Sequence, residues 1–181
     1  MQIRRAVYAT RGPVPQDHIA CVTQELAPLA EGEVLLEMLA APIHPSDVLT
    51  ITGHYGLLPP LPAVGGNEGV GRVVAHGPGV LPLGAGTWSS HVVATAATLV
   101  ALPAGVDPVQ LSMLAVNPAT ALLLLTDLVP LEAGDWVLQN AANSAVGGYL
   151  TQLAAARGLR TVNVVRREAA LAELTVPAGS V

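Results

Sequence analysis

Lysine and phenylalanine are absent from this chain, and cysteine occurs once. The eight basic residues are therefore all arginine, and thirteen acidic residues leave a formal net charge of −5. A protein that grips nucleic acid by its phosphates needs a basic face, so this balance argues against such a partner. The single Cys21 can close no internal disulfide, which fits a reducing compartment, and it cannot build a zinc lobe of several thiolates. Long apolar runs are missing too. The longest, ALLLLTDLV at 121–129, is broken by Thr126 and Asp127 and falls short of the roughly 20 residues that span a bilayer. The opening MQIRRAVYAT has two arginines but no apolar stretch of signal-peptide length. The expectation is a soluble, cytoplasmic protein with no membrane and no nucleic-acid partner. Absent Lys and Phe beside abundant Ala, Gly and Pro point further to a GC-rich bacterial genome.

What is present suffices for a core: 51% of the 181 residues are hydrophobic and 12% charged. This length holds one ordinary domain or parts of two. Up to about Pro103 the chain reads as β structure. The runs IRRAVYAT, HIACVTQEL, EVLLEMLAAP, EGVGRVVAHG and SSHVVATAATLVAL are short and separated by Gly/Pro turns. After Pro103 helices appear. Asp107-Pro108 form a cap and first-turn pair for a helix through Leu114, and a second helix runs from roughly 118 to 128. Then EAGDWVLQNA (132–141) predicts a turn and a buried strand, and NSAVGGYLTQLAAARG (143–158) a helix ended by Gly158. LRTVNVV (159–165) predicts a second strand and RREAALAEL (166–174) the start of another helix. Strand, tight turn, helix, strand is a βαβ unit, the building block of parallel sheets.

The turn in that unit carries a weak nucleotide signal. A helix start presents free N–H groups and the positive end of its dipole to an anion. In QNAANSAVGG the helix opens near Ser144, with Ala145 and Gly147 at the close-approach positions. Ala145 stands where G-x-G-x-x-G has its middle glycine, so a small-residue contact without ligand remains open. The next strand ends in Arg166-Arg167, where an NAD site carries Asp or Glu for the ribose hydroxyl. A guanidinium suits a 2′-phosphate instead, which points to NADPH. Two arginines opening a surface helix are the plainer alternative.

The segments HPSDVLTITGHYGLLPPLPAVGGNEGVG, VNPATA, QNAANSAVGG and TVNVVRR follow one another at sensible separations. In this they resemble the zinc-independent medium-chain dehydrogenase/reductases, and within them the trans-2-enoyl thioester reductases of the mitochondrial enoyl-CoA and acyl-carrier-protein type. The resemblance implies an α/β chain: a GroES-like β-barrel over residues 1–105, then the first part of a Rossmann NAD(P)-binding domain over 106–181. It implies NADPH between the two, hydride transfer to the β carbon of an enoyl thioester (CoA or acyl carrier protein), and protonation at the α carbon. Tyr55 matches the family's proton donor. A phenol, with a pKa of about 10, keeps a proton to give as an enolate gains basicity; a turn tyrosine packed over the barrel mouth is the alternative. Asn117 matches a cofactor contact. Asn143, Ser144, Ala145 and Val146 match the pyrophosphate loop, and Arg166, Arg167 and Glu168 the 2′-phosphate end. Trp88 matches a tryptophan near the substrate, with core packing equally open.

No metal is expected. HPSD offers no Cys, and in GGNEG Asn67 replaces a histidine, leaving Glu68 alone; His44 and His54 read as polar loop groups. Two departures from the family stand out. A strand is missing between residues 80 and 81, and the family continues through a second mononucleotide half, so the sequence looks incomplete. A zinc-independent NADPH:quinone reductase and a non-catalytic remnant that binds nucleotide or a partner chain are the rival functions. A homodimer is the family's usual assembly.

Overall fold

The computed structural model describes residues 1–76 and 86–181, in two compact units, Met1–Met113 and Leu114–Val181. The lost strand expected between 80 and 81 lies outside the described residues.

The first unit is built from two antiparallel sheets. Strand β1 (Gln2–Tyr8) pairs along its whole length with β2 (Ile19–Glu25) and, at Val7 and Tyr8, with the short β4 (Ala63–Val64). Strand β3 (Glu33–Ala40) lies between β5 (Val70–His76) and β6 (His91–Thr95). That central place explains its composition: Val34, Leu35 and Leu36 are all buried, as a strand covered on both faces requires. Two irregularities in the β3–β5 register, at Leu35/Leu36 and Met38/Ala40, bend the sheet. Residues 88–90 stitch the sheets together, since Ala6 N–H donates to Trp88 O, Ser90 N–H to Arg4 O, and Met38 N–H to Ser90 O. The result is a β unit of two joined antiparallel sheets, as the short β-rich runs of the first half predicted; the barrel form is what the resemblance implied.

One helix in this unit was not foreseen. Helix α1 (Pro45–Thr52) begins with Pro45 in its first turn and ends at Gly53, whose φ of 84° only glycine adopts without strain. The signals were in the sequence, but a histidine, His44, stands at the cap in place of Ser or Thr. The short α2 (Pro108–Leu111) starts as expected, with the Asp107 carboxylate accepting from Val109 N–H. It packs against β3 and β5, which assigns residues 106–113 to the first unit.

The second unit holds α3 (Asn117–Thr126), β7 (Trp136–Gln139), α4 (Ala145–Ala156) and β8 (Arg160–Asn163). Strands β7 and β8 pair in parallel across the α4 crossover. Leu150 and Ala154 of α4 pack on Ala121 and Leu125 of α3 and on Leu159, burying residues spaced by one helical turn. Beyond β8, Val181 N–H donates to Thr161 O and its carbonyl accepts from Asn163 N–H. These two bonds have the pattern of a parallel pairing, on the edge of β8 away from β7. Strand β7, expected to be buried, has no buried residue: Leu138 is 72% exposed, and Trp136 is exposed beneath the Arg160 guanidinium. The helix start expected over 166–174 is a 3-10 helix, Glu168–Glu173, with no side-chain bond at its Arg167 cap.

Candidate active site

Each unit brings its own share of the candidate residues together. In the first, Tyr55 stands 43% exposed in the loop that leaves α1, between Gly53 and Gly56. A Cβ placed on Gly56 would meet nothing within 4 Å, so the loop has open space at that position. The same unit holds a cavity of about 270 Å³ lined by Tyr8, Asp47, Ile51, Pro59, Gly66 and Asn67 among others.

The polar groups under the helix start are paired with one another. The buried Asp47 carboxylate accepts from His44 N–H at 2.7 Å and from the Asn67 amide at 2.7 Å. The His44 ring lies 2.5 Å from the buried Glu68 carboxylate through Nε2. Glu68, read from the sequence as a leftover carboxylate, is thus the partner of His44, and the His54 ring bonds the Thr52 hydroxyl. No group of three or more His, Cys, Asp or Glu side chains suited to a metal ion occurs among the described residues.

Trp88 lies in the wall of the barrel. Its indole N–H donates to Pro42 O, its ring packs against the Tyr8–Ile51–Ala63 cluster, and a Cβ on Gly65 would strike it at 2.4 Å. Burial raises the Tyr8 phenol above its ordinary pKa of 10.0, although the charge and hydrogen bond of Arg11 pull it the other way.

In the second unit the turn after β7 leads into α4 at Ser144, whose hydroxyl accepts from Gly147 N–H at 3.1 Å. Gly148 N–H bonds the Ser144 carbonyl, which leaves the N–H groups of Ala145 and Val146 without an intrahelical partner. Gly147 is where the chain approaches itself: a Cβ there would lie 2.5 Å from the Ala142 carbonyl oxygen. At Gly148 nothing lies within 4 Å, so the helix start has open space beside it. Of the two small residues expected at close-approach positions, Gly147 closes a contact with the chain's own backbone and Ala145 is the first residue of α4.

Asn143 sits exposed on the same turn and its amide donates to Glu173 at 3.2 Å. Ala142 N–H donates to Val164 O at the end of β8. These two bonds tie the turn to the segment holding Arg166, Arg167 and Glu168, all three exposed. Neither guanidinium joins an ion pair among the described residues. Asn117, at the start of α3, is buried, and its amide nitrogen has no hydrogen-bond partner. A buried donor without acceptor is costly, and a bound group carrying an acceptor would relieve it. Together these features fit a phosphorylated dinucleotide: an orphan buried donor, an open helix start, and two unpaired arginines at one end of a parallel sheet.

Sequence reasoning passed over a polar network under this sheet. The Gln139 amide donates to Gly147 O, Thr151 Oγ1 and Asn163 Oδ1, so β7, α4 and β8 are cross-linked. Period alone could not find it, since the three residues are far apart in the chain. Arg11 was also passed over.

Residues 30–98 match the alcohol dehydrogenase GroES-like domain family. The mitochondrial enoyl-[acyl-carrier-protein] reductase of Bos taurus is 44% identical over 96% of this chain and 49% of its own length. Among solved structures, a putative NADPH:quinone reductase from Bacillus thuringiensis superposes with a TM-score of 0.85 at 33% identity, over 96% of this chain and 55% of that one. The Etr1p complex with NADP and crotonyl-CoA gives 0.83 at 28% identity, over 96% and 57%. The chain spans about half the length of the curated relatives it matches. Two expectations change. The cytoplasmic assignment does not stand, because the mammalian relatives are named as mitochondrial enzymes. A bacterial source read from composition finds no support in these eukaryotic relatives either.

Proposed function

From the premise that this chain belongs to the medium-chain dehydrogenase/reductases, among their enoyl thioester reductases, we propose that it serves the NADPH-dependent reduction of trans-2-enoyl thioesters, carried on CoA or acyl carrier protein. The observation that carries this reading is the exposed Tyr55 phenol, set between Gly53 and Gly56 in a loop open at Gly56. NADPH, when bound, supplies the hydride for the β carbon. Tyr55 then gives its proton to the α carbon, where negative charge develops. The N–H groups of Ala145 and Val146, with Ser144 and Asn143 shaping the turn, receive the pyrophosphate. Asn117 places its buried amide on the cofactor. Arg166 and Arg167 fork the 2′-phosphate, and Glu168 borders that same end. Trp88 flanks the substrate from the barrel wall. In this scheme the catalytic domain takes residues 1–105 and the cofactor domain 106–181, although α2 packs with the first compact unit, and two copies pair, as chains do in the Etr1p/Etr2p heterodimer from Candida tropicalis.

The test is Tyr55→Phe assayed with a crotonyl thioester and NADPH. General acids contribute roughly 10²–10⁴-fold, so turnover should fall by at least a hundredfold with NADPH affinity kept. Unchanged turnover would refute the role of Tyr55. A quinone reductase is the second reading, favoured by the likeness to the Bacillus thuringiensis structure. It predicts quinone turnover that Tyr55→Phe leaves intact.

A further inference from the structure

Arg11 lies three residues beyond β1, half-buried, where the sequence offers only a turn. Its Nε donates to Thr50 O at 3.3 Å, and its Nη2 donates to Pro59 O. Thr50 is in the last turn of α1, before the loop that carries Tyr55, and Pro59 comes after the tyrosine. One guanidinium therefore closes the base of that loop from both sides. Its position is itself held: the cation lies 5.9 Å from the centre of the Tyr8 ring, and its aliphatic stem runs beside Gly53. A Cβ on Gly53 would sit 3.5 Å from Arg11 Cδ.

The loop needs such a tie. Residues 54–62 lie outside any helix or strand, and Tyr55, Leu57 and Leu58 are exposed. Gly56 adds freedom at the tip. We infer that Arg11 is a positioning residue that fixes the height and direction of the Tyr55 phenol by bridging the Thr50 and Pro59 carbonyls. The inference rests on the proposed role of Tyr55 for its catalytic consequence, but the bridge stands on geometry alone. A planar fork reaches two carbonyls at fixed spacing, and a lysine ammonium keeps the charge without that geometry.

The experiment compares Arg11→Lys and Arg11→Met with the parent in the full chain. Amide exchange is followed by peptide across the protein, and crotonyl-thioester turnover is measured with the Michaelis constant for NADPH. Exchange over residues 54–60 should rise at least tenfold in Arg11→Met and less in Arg11→Lys, with β1, β2 and the second unit unchanged. The rate constant kcat should fall at least tenfold, and KM for NADPH should stay within twofold. Unchanged exchange in the loop overturns the inference. So does faster exchange throughout the first unit, or failure of both variants to fold, since either makes Arg11 a general scaffold residue. If Tyr55→Phe leaves turnover intact, the role of Tyr55 fails, while the exchange result still judges Arg11.

Discussion

Gly147→Ala should destabilise the second unit by about 2 kcal/mol. The new Cβ would sit 2.5 Å from the Ala142 carbonyl oxygen and 2.9 Å from its Cα. Backbone has no rotamer by which to escape, so helix and turn must part by roughly 1 Å to reach an ordinary contact of about 3.5 Å. Overpacking of this kind costs about 1–3 kcal/mol. The upper end applies here, because Ala142 is 1% exposed and its N–H is tied to Val164 O. Better helix propensity returns up to about 1 kcal/mol. With a urea slope of about 2 kcal/mol per molar, the unfolding midpoint should drop by about 1 M. Urea unfolding followed by fluorescence of Trp136, the one tryptophan of this unit, measures it. Gly148→Ala is the control. With nothing within 4 Å of its Cβ, it should raise the midpoint by up to about 0.5 M. Equal midpoints for the two variants would show that the turn does not pack against the helix start as described.

Other consequences are testable in the same preparations. Replacing Arg166 and Arg167 together by Gln should weaken NADPH binding by about tenfold to a hundredfold and leave NADH binding alone; charge-assisted bonds of about 1.5–3 kcal/mol set that range. Equal weakening of both nucleotides would refute the 2′-phosphate assignment. Ser144→Ala removes the cap on Gly147 N–H and should cost about 1 kcal/mol in thermal or urea unfolding. Tyr8 governs an alkaline effect. Its folded pKa is raised, so the phenol ionises more readily in the unfolded chain, and the stability it contributes is full below about pH 10 and lost as pH rises further. Tyr8→Phe should flatten that alkaline loss in a denaturation series, and an unaltered slope would contradict it. Elemental analysis of washed protein should find no stoichiometric zinc.

Much of the fold could be read from the chain because its signals are local. The run Val34-Leu35-Leu36 marks a strand buried on both faces, Asp107-Pro108 starts α2, and Gly158, with φ of 72°, ends α4. The motif at Ser144 located the helix start, whereas β8 ends at Asn163, short of the exposed Arg166-Arg167 pair into which the pattern ran it. What the sequence could not decide was pairing across distance. That His44 would meet Glu68, that Gln139 would reach Asn163, and that Arg11 would bridge Thr50 and Pro59 depend on strands and turns brought together by folding. Composition and period report on neighbours one turn or one pleat away. The identity of a hydrogen-bond partner dozens of residues distant is settled only when the backbone has closed on itself, and that closure also left the Asn117 amide buried without one.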